Sequence, residues 1–131
     1  MIYLVAIIFA FYFFQRMKSV RGLHDIDAQT LCRLLQDMTD GVKILDLRDQ
    51  TDYYANHIEG AINISLGRLP YVKKKELHID DKIILIADSK YHSKKAARIL
   101  KKSGFNHLTN LQDGMRAYQQ IQPKVLKNCC A

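Results

Sequence analysis

The sequence predicts an α/β domain, a parallel sheet covered by helices on both faces, preceded by one N-terminal transmembrane helix. Three observations lead there. From His24 onward short apolar runs alternate with segments of helical periodicity, which is the pattern of strands joined by crossover helices. The runs are almost continuously apolar, as strands buried on both faces are. The first fourteen residues, "MIYLVAIIFAFYFF", carry no charge and no strongly polar side chain.

The N-terminal run would span roughly 21 Å as a helix at about 1.5 Å per residue, against a hydrocarbon core of roughly 30 Å. Gln15, Met17 and the stem of Arg16 extend it, and Tyr12, Phe13 and Phe14 suit a membrane interface. No basic stretch precedes the run and no small-x-small cleavage site follows it, so a secretory signal fits poorly. Arg16, Lys18 and Arg21 follow, which places the domain on the cytoplasmic side of a cell membrane. The expectation is therefore a single-pass anchor over residues 1–18 and a juxtamembrane linker over 19–23.

Each later element has its own signal. Asp27 suits the N-cap of a helix through "AQTLCRLLQDM", with Leu31, Leu34 and Leu35 at helical spacing and Gly41 beyond its end. "VKILDL", "AINI", "IILIA" and "HLTNL" read as strands. "SKKAARILKKSGF" reads as a helix capped by Ser93 and stopped by Gly104, and "GMRAYQQ" as a short closing helix. Residues 120–131 have no clear periodicity and are expected to be an irregular tail.

Composition narrows the functional classes. The formal charge of +7 favours anionic surroundings. The three cysteines, Cys32, Cys129 and Cys130, form no even disulfide framework and no zinc-site spacing, so no metal or cofactor is expected. Cys32 reads as a small core residue beside Leu31.

The motifs in "ILDLRDQTDYYANHIEGAINI" and "LQDGMRAY" resemble the rhodanese-like domain family. Asp46 and Arg48 match its Asp-x-Arg after a buried strand. His57, Ile58, Gly60 and Ala61 match its Gly-His-Ile-x-Gly-Ala turn, with Asn56 for the usual glycine and Glu59 for the frequent proline. Gly114 matches the second glycine of Leu-x-Gly-Gly-x-x-x-Trp, while Asp113 replaces the first and Tyr118 the tryptophan. The resemblance spans residues 24–119 and implies a three-layer α/β/α fold with a mainly parallel sheet of about five strands. From the residues themselves, Asp46 and Arg48 read as a hydrogen-bonded loop network, His57 as a structural histidine and Gly60 as a backbone-angle position.

Active members of the family carry a cysteine where the central strand ends, then a six-residue loop finishing in arginine and serine. The resemblance implies a thiolate that accepts a sulfane sulfur as a persulfide, its charge favoured by N–H groups at a helix N-terminus. Aligned on the strand and on Ser93, this chain reads Ala87, Asp88, Ser89, Lys90, Tyr91, His92, Ser93. Loop length is kept, Ala87 stands at the nucleophile's position and His92 at the arginine's. A methyl group cannot carry sulfur, and the loop is one residue shorter than that of the related cell-cycle phosphatases. Ser89 has His92 nearby but no visible orienting group, and reads as a loop serine.

The expectation is a catalytically inactive, membrane-anchored binding or regulatory module, with Asp88 to Ser93 as candidates for holding a small anion. An unknown protein partner is the other possible occupant. The alternative is a sulfurtransferase that borrows a thiol from the Cys129/Cys130 tail or from a partner. Lys94, Lys95, Arg98, Lys101 and Lys102 line one side of the helix after the loop and, with Lys73 to Lys75, form a basic face that suits anionic lipid. Nucleic acid is not indicated, because no recognition motif or stacking platform accompanies the charge.

Overall fold

The computed structural model describes the backbone of residues 1–37 and 41–129, and side chains through residue 121. Five strands run β1 (Leu23–Ile26), β2 (Val42–Asp46), β3 (Ile62–Asn63), β4 (Lys82–Ile86) and β5 (Leu108–Leu111). They form one sheet in the order β1-β5-β4-β2-β3, with every pairing parallel. The helices are α1 (Ile2–Met17), α2 (Ala28–Gln36), α3 (Gln50–Ala55), α4 (Leu69–Glu76), α5 (Lys90–Lys102) and α6 (Gly114–Cys129).

The central strand shows why its sequence is apolar throughout. Ile83, Leu85 and Ala87 point into one core cluster with Ala96, Ala97 and Leu100 of α5 and Leu69 of α4. Ile84 and Ile86 point into the other, with Ala28 and Leu31 of α2 and Met115 of α6. Alternate side chains of a strand face opposite ways, so a strand covered on both faces needs no polar residue. This is the expected α/β architecture with a five-stranded parallel sheet.

The transmembrane helix does not survive. No helix among the described residues is long and apolar enough to cross a membrane. The N-terminal helix ends at Met17 after 16 residues, about 24 Å at about 1.5 Å per residue. The extension expected from Arg16 fails because its guanidinium lies 4.4 Å from the centroid of the Tyr91 ring, held against the domain. The single-pass anchor over residues 1–18 and the membrane location deduced from it are withdrawn. Residues 19–23 are also no linker: Val20 is buried in the core and Leu23 begins β1.

Three further differences have identifiable physical causes. The last helix continues to Cys129, beyond the irregular tail expected from residue 120, although Pro123 contributes no N–H to it. Ala117, Tyr118 and Ile121 of this helix pack against the core, so tertiary burial sustains what sequence periodicity left undecided. The helix after β4 starts one turn earlier than expected, with Ser89 rather than Ser93 as its cap: Ser89 Oγ accepts the His92 N–H at 3.3 Å. Strand β1 and helix α4 had no clear signal, since the inner residues of β1 are exposed and only Leu69 of α4 is buried. The cap at Asp27 is as expected, its carboxylate accepting the Thr30 N–H at 2.7 Å.

Candidate functional site

Parallel strands deliver their C-terminal ends to one edge of the sheet, and ligands of open α/β folds bind there. Here the chain leaves β2 toward β3 on one side and leaves β4 toward β5 on the other, so the connections part between β2 and β4. A cleft of about 720 Å³ opens at this edge, beside Arg48, Ala87, Asp88, Ser89, Lys90 and Ser93. Asn110 to Ala117 and Asp25 complete most of its wall.

Ala87 is where β4 opens into the loop, and it is only 7 % exposed. Helix α5 begins three residues later. Because Ser89 occupies the His92 N–H, the N–H groups of Lys90 and Tyr91 are the ones left without a partner inside the helix. They and the positive end of the helix dipole favour an anion. Ser89 is thus spent as a cap rather than poised as a nucleophile.

On the opposite wall of Ala87, the close approach of α6 depends on two left-handed residues. Asp113 has φ +60° and Gly114 φ +56°. A Cβ on Gly114 would collide with the Ala87 carbonyl oxygen. A side chain there would push apart the two segments that form the floor of the cleft.

Asp46 and Arg48 form the rigid base. Arg48 Nη2 donates to Asp46 Oδ2 at 2.7 Å and to the Asn56 carbonyl at 2.7 Å, while its Nε donates to Asp46 Oδ1 at 3.0 Å. Asp46 is fully buried and Arg48 8 % exposed. Burial opposes the Arg48 charge, but the hydrogen bond and charge of Asp46 outweigh it, and the guanidinium is held even more firmly protonated than usual. Asn63 ties the same loop by donating to the Asp46 and Arg48 carbonyls.

The other motif residues stand apart from the cleft. His57 Nδ1 lies 2.8 Å from the Tyr53 carbonyl, and its ring stacks on Tyr53 at 4.0 Å. Gly60 has φ +81°, and Ala61 receives the Tyr53 hydroxyl on its carbonyl at 2.8 Å. Tyr91 and His92 also lie outside the wall, with Tyr91 beneath Arg16. Of the basic face, Arg98 Nη2 donates to the Lys18 carbonyl at 3.0 Å, which ties α5 to the segment after α1.

The cleft residues to which the sequence reading gave no site role include Asp25, Asn110 and Arg116. A signal existed for Asn110, a polar residue inside the strand-like run "HLTNL", where burial demands a reason. Cys129 lies at the end of α6, about 22 Å along the helix from Gly114 at about 1.5 Å per residue. Cys130 is outside the described residues.

Comparison with known proteins agrees with this geometry. The family model described as Rhodanese-like domain matches residues 30–121. A candidate sulfur carrier protein of Bacillus subtilis, YrkF, is 38% identical over 80 residues, which cover 61% of this chain and 43% of that one. A second B. subtilis protein, YqhL, is 30% identical over 76 residues, covering 58% of this chain and 60% of its own. The chain therefore spans about half the length of these curated relatives. The rhodanese-like domain of the Anabaena protein Alr3790 superposes with a TM-score of 0.68 at 27% identity, over 74% of each chain. The yeast single-domain sulfurtransferase RDL2 shares the fold at a TM-score of 0.68 and 12% identity, over 79% of this chain and 94% of that one. With a parallel five-stranded sheet, the Asp46–Arg48 base and a family match over most of its length, this chain belongs to the rhodanese-like domain family.

Proposed function

We propose that this rhodanese-like domain is catalytically silent and serves as a binding or regulatory module that takes a small anion in the cleft at the N-terminus of α5. One observation carries the reading. At the point where β4 meets the loop, beneath the N-terminal turn of α5, the side chain is the methyl group of Ala87. Sulfur transfer through a persulfide needs a thiolate there, and no protonation change supplies one. What remains is the binding half of the apparatus: the uncommitted N–H group of Lys90, the Lys90 ammonium and the Arg48 base.

The enzymatic alternative requires a thiol from elsewhere. Helix α6 carries the Cys129 backbone about 22 Å along the helix from Gly114 at the cleft floor, which disfavours a thiol from this end of the chain. A partner's thiol is the version that keeps this alternative open, and the resemblance to a candidate sulfur carrier gives it support. The two readings separate by experiment. The purified chain is expected to transfer no sulfur from thiosulfate to cyanide and to form no persulfide, while thiosulfate binding remains measurable. Turnover by the unmodified chain refutes the silent reading. Turnover only after addition of a thiol-bearing partner establishes the alternative.

A further inference from the structure

Helix α1 has no buried residue, and its twelve large apolar side chains are 56–83 % exposed. At about 130 Å² each they present roughly 1,500 Å² of apolar surface, well above the largest patch of a typical monomer. Surface on that scale marks an interaction site. No helix among the described residues is long and apolar enough to cross a membrane, so a spanning role does not account for it.

One side of α1 is complementary to itself. Tyr3, Ala6, Ala10, Phe13 and Met17 are spaced alternately by three and four residues, which sets them in one stripe along the helix. Small residues occupy its middle and large ones its ends, all of them exposed. Turned end over end on its own copy, the stripe sets Tyr3 against Phe13 and Ala6 against Ala10. The alanines let the two helix axes approach closely, while aromatic pairs close both ends. Arg16, which reaches the domain through Tyr91, lies about 100° around the helix from the stripe. That contact leaves the stripe uncovered.

We propose that α1 is a self-association element, and that two copies of this chain pair their α1 helices antiparallel along this stripe. One side of the helix, about half of its apolar surface, matches the roughly 800 Å² that each partner gives to a standard interface. Charge selects the direction. Arg16, Lys18 and Arg21 cluster at the C-terminal end of α1, on a chain that carries +7. A parallel pair would bring two such clusters together. An antiparallel pair sets them about 24 Å apart, beyond the screening length of about 8 Å at physiological salt, and brings each only the other copy's N-terminal amine. Apolar side chains circle the helix, so two pairs stacked through their outer sides cover the remainder. The closed forms are a dimer and a tetramer made of two such pairs.

The test is analytical ultracentrifugation of the full chain without detergent. At about 10 μM, where interfaces of standard size hold, a defined mass of two or four chains is expected. Ala6→Glu/Ala10→Glu sets charges at the closest approach and should weaken association at least about a hundredfold, leaving a monomer. Glutamate suits a helix and neither alanine is buried, so the thermal melt of the domain should not change. Ile8→Glu, on the far side of α1, should stop assembly at the dimer. Direction is read by disulfide trapping with diamide, which takes up the two electrons and two protons, in chains carrying Cys129→Ser and Cys130→Ser. A mixture of Ala6→Cys and Ala10→Cys chains should cross-link faster than either variant with itself. A monomer at that concentration, an aggregate of undefined mass, or assembly that survives Ala6→Glu/Ala10→Glu overturns the proposal. Equal trapping in mixed and unmixed chains overturns the antiparallel pairing. A monomer that co-sediments with neutral phospholipid vesicles overturns the proposal in favour of lipid as the occupant.

Discussion

Replacing Ala87 by cysteine asks whether the loop still does what a sulfur-transfer loop must do to a thiol. The position is 7 % exposed beneath the first turn of α5, whose Lys90 and Tyr91 N–H groups are uncommitted within the helix. A charge near a helix N-terminus gains 0.3–1 kcal/mol at exposed sites and about 2 kcal/mol in partly buried ones, so about 1.5 kcal/mol is a fair figure here. That multiplies the thiolate population by about twelve relative to free cysteine. The exposed Asp88 carboxylate acts against it. A like charge about 6 Å away through water costs about 0.7 kcal/mol, a factor of about three. Ala87→Cys should therefore show about fourfold more thiolate than free cysteine at neutral pH, and Ala87→Cys/Asp88→Asn about twelvefold. The assay is the pH dependence of alkylation by iodoacetamide, in a background where Cys129 and Cys130 are replaced by serine. Persulfide formation from thiosulfate is read by mass spectrometry in the same samples. A thiolate population at the introduced cysteine no higher than that of free cysteine, in both variants, refutes the argument that the cradle still favours an anion.

The remaining predictions concern what holds the cleft together. Asp46→Ala strands a nearly buried guanidinium with only the Asn56 carbonyl, and should destabilise the domain by about 3–5 kcal/mol, lowering Tm by about 10 °C or more; a loss under about 1 kcal/mol in urea unfolding rejects that role. Asp113→Gly relieves a left-handed residue and should raise stability by about 0.5 kcal/mol, whereas Gly114→Ala should lower it by about 2 kcal/mol or more through collision with the Ala87 carbonyl. Opposite signs at adjacent positions are the outcome to check by thermal melts. Asp81 is held below its ordinary value near 3.8, since the His78 N–H at 2.8 Å and Lys43 at 3.0 Å outweigh its desolvation. Because the folded state lowers this value, its stabilisation is complete above the unfolded value and is lost as pH falls through the folded one. Asp81→Asn should accordingly flatten the acid side of the stability profile below about pH 4, and an unchanged acid slope rules the contribution out.

The membrane anchor shows how a compositional signal misleads. Fourteen uncharged residues satisfy hydropathy, but spanning also needs length, and length depends on where the helix ends. Arg16 settles that by lying over Tyr91 on α5, a residue 75 positions away in the chain that no local pattern connects to it. The closing helix errs in the opposite direction. Pro123 and weak periodicity argue for an end near residue 120, while burial of Tyr118 and Ile121 against the core carries the helix on to Cys129.

Local chemistry determined much of this protein from the sequence alone. The unbroken apolar runs dictate a sheet covered on both faces, Asp27 caps its helix, and Ala87 sets a methyl group at the end of the central strand. These follow from side-chain type and spacing, which need no knowledge of distant residues. The second half of the cleft was decided by tertiary structure alone. Asp25 and Asn110 are 85 positions apart and meet only because β1 pairs with β5 at the edge of the sheet. Strand order is a property of the whole chain's packing, and it is what sets an unpartnered acceptor beside the loop that follows β4.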